Sequence, residues 1–449
     1  MVMISPSLKL VIQRTLPLTL GMFAIMLVQL VDSIFIGMLG VDQLAVHGIT
    51  LPFQAVIIGL QVGVGVAATS IISQACGAKQ SRKAQTIATI SVGLGSLFVA
   101  LVCLLLWTLQ TPIFSAFTAA DVSAQDQQLL QSIFRRYWPI WLLSATSVAT
   151  LYLITCVYRA NQDTKTTGQM FLLASIINLI LDPILIFTFN LGIVGAAIAS
   201  TIGYGYCALV MLYKARDKQW FGRIPFGEKT KAHTVELVRF IIPTIINQSL
   251  PSLSAFACML LIAQMGTNEI AFWGLLSRIE SFMLVFTLAL TMALPPIIGR
   301  YLGQGKNGQI SELLITTGKF LIIFHIIMAV VVGVSSALML PLLSADITIQ
   351  LWFSRALWLI PISYGPLGLC MIAVSVFNAL GQPKKALVVS CVRLILLYIP
   401  AIWLGASTGN VLQAVTAATI ANTLAGAYAW LKLKQYTQSH WVKQPLTQT

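Results

Sequence analysis

Charged residues are scarce in this sequence, and their scarcity sets its structural class. Only 9% of the 449 residues are charged and 57% are hydrophobic, whereas soluble domains carry about 25% charged residues. Twelve apolar runs approach or exceed the roughly 20 residues with which an α-helix crosses a bilayer. We therefore predict an all-α integral membrane protein, because these runs are too long for the strands of a membrane barrel. The predicted spans cover residues 14–39, 44–75, 86–109, 133–157, 167–190, 193–214, 237–264, 270–300, 312–340, 350–378, 385–405 and 410–431.

The sequence also lacks what metal centres, nucleotide-driven pumps and soluble enzymes need. Its seven cysteines are dispersed without a Cys-x-x-Cys pair, which argues against a disulfide or metal framework. No glycine-rich phosphate loop precedes a Lys-Ser or Lys-Thr pair, and the longest predicted loops hold only about 20 residues. We therefore predict no enzyme activity, no metal and no cofactor. The histidines are too scattered to form a ligand set: His47, His233, His325 and His440.

The basic residues indicate the topology. If the N-terminus is cytoplasmic, most Lys and Arg residues fall in inner segments, whereas the outer turns carry acids such as Asp42 and Glu269. Arg135, Arg136 and Arg355 are the exceptions. The positive-inside rule then predicts a multi-pass membrane protein with both termini in the cytoplasm. The net charge of +14 follows from this topology, so we expect no nucleic-acid partner.

The chain contains an internal repeat. Six spans in each half give both halves one orientation, as in a parallel repeat about an axis along the membrane normal. We predict an N-lobe over residues 1–214, a basic cytoplasmic linker over 215–236, a C-lobe over 237–432 and a tail over 433–449. Two six-helix lobes around a central cleft would suit alternating access, and one chain would suffice as a monomer. A shift of 226 residues, and later of 219, matches Pro17 with Pro243, Gly40 with Gly266, Gly77 with Gly303, and Lys165 with Lys384.

Two acids lie deep inside predicted spans of the N-lobe. Asp32 and Asp182 each precede an outer-turn residue, Gly40 or Asn190, by eight positions, which places both about 12 Å below the outer turns. A carboxylate at the bilayer centre costs about 2.5 to 3.5 kcal/mol and is tolerated mainly where it is functional or well paired. Asn178 lies one helical turn before Asp182 on the same face. We predict a proton or cation site here, although a buried Asp that only ties helices together is the alternative.

Other residues of the N-lobe complete this hypothesis. Pro183 removes an N–H beside the acid and is a predicted hinge. Pro17 is either a second hinge, in span one, or an ordinary first-turn proline. Polar residues at a similar depth are predicted to line a substrate cavity, although helix–helix hydrogen bonding would explain each of them alone. They are Gln29, Gln54, Tyr137 and Ser200.

The C-lobe lacks the acid pair. At the matching shifts Asp32 corresponds to Cys258 and Asp182 to Ala401, so the chemistry is predicted to lie in the N-lobe. Arg278 and Glu280, in predicted span eight, are two residues apart and do not face each other on a helix. We predict that they line the interface between the lobes.

These features together resemble the multidrug and toxic compound extrusion (MATE) family over essentially the whole chain. They are the twelve spans, Asp32 in span one, the sequence Asn178-x3-Asp182-Pro183 in span five, and the basic linker. The acid-bearing N-lobe is similar to the prokaryotic DinF-like branch. The resemblance implies that Asp32, Asn178 and Asp182 form the ion site and that Pro17 is the bending point.

The resemblance further implies secondary antiport, in which cationic or amphipathic drugs leave as H+ or Na+ enters. No acids occur between residues 237 and 264 or between 351 and 378, which favours H+ over a sodium site in the C-lobe. The alternatives are a Na+-coupled antiporter and a lipid-precursor flippase of the same superfamily. Outside those classes, a membrane enzyme would need a convergent base, and a channel would need a continuous polar stripe.

Overall fold

Helices make up the described part of the chain. The computed structural model describes residues 5–117, 123–222 and 227–441, and no strand occurs among them. Residues 223–226 of the predicted linker and 442–449 of the predicted tail lie outside the described residues. The helices are α1 (Pro6–Met38), α2 (Val41–Gly77), α3 (Ser81–Thr108), α4 (Gln110–Phe117), α5 (Ala124–Ala160), α6 (Thr164–Pro183), α7 (Ile193–Asp217), α8 (Glu228–Ala263), α9 (Thr267–Met283), α10 (Val285–Gly303), α11 (Asn307–Leu343), α12 (Ile347–Leu359), α13 (Tyr364–Ala379), α14 (Pro383–Cys391), α15 (Ile399–Ala406) and α16 (Val411–Trp441).

Helices occupy all twelve predicted spans, and several spans are composite. Span eight consists of α9 and α10, which meet at Leu284. In span ten the 3-10 turn Ile360–Ser363 joins α12 to α13. In span eleven the π-helical segment Val392–Tyr398 joins α14 to α15. Eleven helical segments of the described chain are long and apolar enough to cross a membrane, and α16 is not among them.

The chain divides into two units. The N-lobe unit is Leu20–Ile245, and the C-lobe unit is Met1–Thr19 with Ile246–Thr449. Both boundaries fall inside helices, because α1 and α8 each run from one unit into the other. The two boundaries are themselves 226 residues apart.

The helix boundaries repeat at the shifts found in the sequence. A shift of 226 takes the first residue of α2 to that of α9, the last residue of α2 to that of α10, and the first residue of α3 to that of α11. A shift of 219 takes the start of α6 to the start of α14. The predicted duplication is therefore expressed in the helical structure and not only in scattered residue matches.

In the N-lobe unit α5 forms the centre of the packing. It packs against α2, α3 and α7, and its fully buried Trp138 stacks on Phe134 with ring centroids 4.9 Å apart. Trp138 Nε1 also donates to the carbonyl oxygen of Leu106 on α3, at 3.1 Å. Gly65 permits the close approach of α2, because a Cβ there would lie 2.5 Å from the Sγ of Cys156. The core of this unit is thus an interlocked aromatic cluster with small residues at the helix crossings.

In the C-lobe unit α13 is the central helix and packs against α10 and α16. Gly426 of α16 lies against the backbone of Pro366, where a side chain would not fit. On α11, by contrast, a row of large apolar side chains is exposed. It is the composition expected of a face that contacts lipid. The row consists of Ile323, Ile326, Ile327, Val330, Val331, Val334 and Leu338.

Candidate functional site

The two acids of the N-lobe unit are brought together. Asp32 lies on α1 and Asp182 lies at the end of α6, and their carboxyl groups are in hydrogen-bond contact. Asp182 is 0% exposed and Asp32 is half-buried. Two carboxylates this close repel strongly when both are ionised, so the contact favours one proton held between them. The same oxygens are hard donors of the type that metal cations bind.

Asn178 connects Asp182 to α7. In the amide orientation that satisfies both of its polar groups, Asn178 Nδ2 donates to Asp182 Oδ2 at 3.0 Å. Its Oδ1 accepts from the backbone N of Ser200 at 3.1 Å and from Ser200 Oγ at 3.0 Å. Asn178 is fully buried. The sequence placed Asn178 and Asp182 on one helix face, and the structure adds the backbone of α7 as the third member of this network.

The helix that carries Asp182 changes its winding directly after the acid. Pro183 has no N–H to donate, and the following segment Ile184–Thr188 is π-helical. Phe189 N donates to the carbonyl oxygen of Ile184 at 2.9 Å, a hydrogen bond that spans five residues. Gly195 of α7 lies against the backbone of Leu185, where a Cβ would lie 2.7 Å from the carbonyl carbon. Single π turns occur frequently at functional sites, and this one adjoins the acid pair.

Two tyrosines lie near the acids, and one of them also contacts a histidine. Tyr137 and Tyr204 are both close enough to Asp32 to interact with it electrostatically, and Tyr204 also interacts with Asp182. Tyr137 is 2% exposed, and its hydroxyl lies 3.2 Å from His47 Nδ1.

The sequence analysis missed Tyr204 and His47 as neighbours of the site, although helical spacing held a signal for both. Tyr204 follows Ser200 by four positions, and His47 precedes Gln54 by seven. Each pair therefore shares one helix face.

The remaining predicted residues of the site are not joined to this network by hydrogen bonds in the described chain. Gln29 is exposed and Gln54 is half-buried, and within the described residues no hydrogen bond joins either of them to the acid pair. Pro17 lies inside α1, which continues through it as helix. The proposed bend at Pro17 and the substrate cavity stay predictions.

The two charged residues predicted for span eight, Arg278 and Glu280, differ in exposure, and one of them interacts with a third charged residue. Arg278 is exposed on α9, whereas Glu280 is half-buried and interacts electrostatically with Arg393 in the π-helical segment. Arg393 lies in the middle of predicted span 385–405, yet the sequence analysis did not single it out. The sequence pattern that could have identified Arg393 is a single cation within an apolar run. The predicted role of Arg278 and Glu280 between the lobes stays a prediction.

Residues 218–220, which follow α7, make polar contacts with the rest of the N-lobe unit. Lys218 Nζ lies 2.7 Å from Asp163 Oδ2 and 4.5 Å from the centre of the Trp220 ring. Gln85 Nε2 of α3 donates to the carbonyl oxygen of Gln219 at 2.7 Å. Burial alone would raise the pKa of Asp163, but hydrogen bonds from Lys218 and Thr166 and the lysine charge hold that pKa below its ordinary value. The start of the predicted linker is therefore ordered against the bundle.

A duplicated bundle of membrane-length helices with a pair of carboxyl groups inside one lobe is typical of a membrane transporter. The MatE family model matches residues 17–184 and again 243–404. The two matches begin 226 residues apart, at Pro17 and Pro243, which is the shift of the internal repeat. The chain therefore belongs to the MATE family of transporters, as its sequence features predicted, and this family membership also agrees with the expected absence of enzyme activity.

Known proteins similar to the chain fall in the same family. The crystal structure of an aspartate-to-asparagine mutant of the Vibrio cholerae MATE transporter VcmN is 38% identical, with a TM-score of 0.92, and the match covers 97% of this chain and 98% of that one. An FAD transporter of Shewanella oneidensis is 26% identical over 94% of this chain and 93% of its own. The multidrug export protein MepA of Staphylococcus aureus is 27% identical over 69% of this chain and 68% of its own.

Proposed function

We propose that this transporter is a proton-coupled antiporter that exports cationic and amphipathic small molecules. The observation that carries the proposal is the contact between the carboxyl groups of Asp32 and Asp182 in the N-lobe unit. A pair that shares a proton alternates between a more negative and a more neutral state, and these states differ in their affinity for a cation. The similarity to a multidrug export protein supports this class of substrate.

The transport cycle follows from that alternation. Protons that enter from outside neutralise Asp32 and Asp182, which removes the negative charge that holds a cationic drug. The Asn178–Ser200 network then rearranges, and α1 bends near Pro17, so that the drug leaves outward. Release of the protons to the cytoplasm restores the charge and allows a new cation to bind.

Several finer assignments belong to this proposal. We place the chain in the bacterial inner membrane as a monomer with both termini in the cytoplasm, and in the DinF-like branch of the family. The acid pair offers hard oxygen donors of the type that bind metal cations. Na+ is therefore the alternative coupling ion. Export of a flavin dinucleotide is a second candidate function, because the relative named as an FAD transporter matches 94% of the chain. A lipid-precursor flippase is the remaining alternative.

The test uses reconstituted vesicles loaded with ethidium as a fluorescent cation. A proton gradient and a sodium gradient are imposed separately on the wild type, Asp32→Asn and Asp182→Asn. Asp42→Asn is the matched control, because Asp42 is exposed in the first turn of α2 and lies outside the pair. Proton-driven transport that is lost in both pair variants and kept in the control supports the proposal.

Other results of the same experiment would contradict it. Transport driven only by sodium would overturn the proton coupling and leave the family assignment unchanged. Proton-driven transport at the wild-type rate in both pair variants would remove the acids from the mechanism. Absence of transport under either gradient would favour the flippase.

A further inference from the structure

Within the described part of the chain, the guanidinium of Arg393 in the C-lobe unit has no ion-pair partner. Arg393 lies ten residues after the first residue of α14, about 15 Å along the helix, and so well inside the apolar segment Pro383–Ala406. Its Nε is buried without a hydrogen-bond partner. Among residues 5–117, 123–222 and 227–441, no carboxylate lies within ion-pair distance of it either. An unpaired cation at this depth is costly, and such residues commonly mark functional sites.

Arg393 belongs to a small group of interacting residues, two of which, Glu280 and Tyr398, interact with it electrostatically. Glu280 on α9 interacts electrostatically with it, but within the described chain the two side chains form no hydrogen bond or direct ion pair. Tyr398, five residues along the π-helical segment, interacts with both charges. Tyr364, at the start of α13, interacts with Glu280 and Tyr398. We call these four residues the Arg393 pocket.

Polar groups of the pocket and of the adjoining His325 lack partners within the described residues. Tyr364 is 0% exposed, and its hydroxyl has no hydrogen-bond partner there. The ring of His325 lies 6.3 Å from that of Tyr364, and its Nδ1 is also buried and unpartnered in the described chain, although its Nε2 lies 2.7 Å from Thr287 Oγ1. Buried polar atoms without partners are rare in native proteins. Together with the Nε of Arg393, these two atoms indicate a site for a polar ligand group.

We propose that the Arg393 pocket binds the anionic group, a carboxylate or phosphate, of an amphipathic substrate. The forked donors of a guanidinium match the oxygens of these groups, and the hydroxyls of Tyr364 and Tyr398 add further donors. Glu280 is the negative charge that opposes such a ligand. The inference rests on the proposed export function only in calling the ligand a substrate, because binding itself is measured without transport.

The chemistry of the pocket predicts effects of opposite sign for its two charges. Removal of the Arg393 charge should weaken binding of an anion by about tenfold or more, since hydrogen bonds to charged groups are strong in a buried site. Removal of the Glu280 charge should strengthen binding of the same anion several-fold. A merely structural role for the Glu280–Arg393 interaction would weaken binding in both variants.

The experiment measures binding of flavin mononucleotide and of riboflavin to the purified full-length protein by flavin fluorescence. The two probes share the ring system and differ by one phosphate. The variants are Arg393→Met, Arg393→Lys and Glu280→Gln, with Arg355→Met as the matched control because Arg355 is exposed on α12. We expect the mononucleotide to bind more tightly than riboflavin to the wild type, Arg393→Met to abolish that preference, Arg393→Lys to keep part of it, and Arg355→Met to change nothing.

Further measurements distinguish a free anion from a lipid headgroup as the ligand and test whether each variant is folded. Displacement of the mononucleotide from the wild type by inorganic phosphate, or by short-chain phosphatidylglycerol, supports the site and distinguishes a free anion from a lipid headgroup. Ethidium binding verifies that each variant is folded. Equal affinity for both flavins in the wild type, or equal losses in Arg393→Met and Arg355→Met, would overturn the proposal. Loss of ethidium transport in Asp32→Asn tests the proposed antiport separately.

Discussion

Asn178 is the residue whose replacement tests the proton site most directly. Its amide donates to Asp182 and accepts two hydrogen bonds from Ser200 in a fully buried position. Asn178→Ala would leave the carboxyl of Asp182 and the backbone N–H of Ser200 without this partner. Each buried group left unsatisfied costs about 1 to 3 kcal/mol. For the two groups we therefore expect a loss of about 2 to 6 kcal/mol in the free energy of unfolding, together with slower proton-driven transport.

Ser200→Ala provides the graded comparison. It removes only the hydroxyl, because the backbone N of residue 200 still donates to Asn178. The expected loss in the free energy of unfolding is therefore about 1 kcal/mol. Ser147→Ala serves as the control, because Ser147 is half-buried on α5 and its hydroxyl makes a local hydrogen bond to the carbonyl oxygen of Leu143, at 3.1 Å.

Thermal unfolding of the detergent-solubilised variants and ethidium transport under a proton gradient measure the two effects together. The expected order of both effects is Asn178→Ala, then Ser200→Ala, then Ser147→Ala. An equal loss of stability in Asn178→Ala and Ser200→Ala would contradict the role of the Ser200 backbone. A stable Asn178→Ala protein with wild-type transport would refute the network as a whole.

Three further predictions concern other parts of the chain. Pro17→Ala should restore the missing N–H in α1 and slow transport without loss of thermal stability, and a normal transport rate would argue against the hinge. Asp163→Asn should remove the contact with Lys218, which is worth no more than about 1 kcal/mol because both groups are partly exposed. Because the folded-state pKa of Asp163 is lowered, its stabilisation is present above the unfolded pKa of about 3.9 and is lost as pH falls through the folded pKa. Wild-type and Asp163→Asn unfolding temperatures should thus differ at pH 7 and converge below about pH 4, and a constant difference across this range would exclude the ionic contribution. Gly65→Val should force α2 away from Cys156 and cost about 1 to 3 kcal/mol of unfolding free energy, whereas the same change at Gly93, which has open space around it, should cost less.

The sequence alone determined the number, length and duplication of the membrane helices. Hydropathy is a local property, and lipid forces each apolar run to satisfy its own backbone hydrogen bonds, so twelve runs became helices at the predicted places. The repeat could be recognised because turn glycines and the first residues of helices recur at fixed shifts in the sequence. The sequence did not predict that spans eight, ten and eleven are interrupted, because such breaks depend on how prolines and neighbouring helices redistribute hydrogen bonds.

Side-chain contacts between helices were decided by the tertiary structure. The sequence placed Asp32 and Asp182 at one depth, but only the rotation and packing of α1 and α6 bring the two carboxyl groups into contact. The backbone of Ser200 joined the network for the same reason. Among the described residues Arg393 has no ion-pair partner, because Glu280 interacts with it without direct contact. Hydrophobic patterning shows which residues a helix buries, whereas packing against specific neighbours decides which atoms meet.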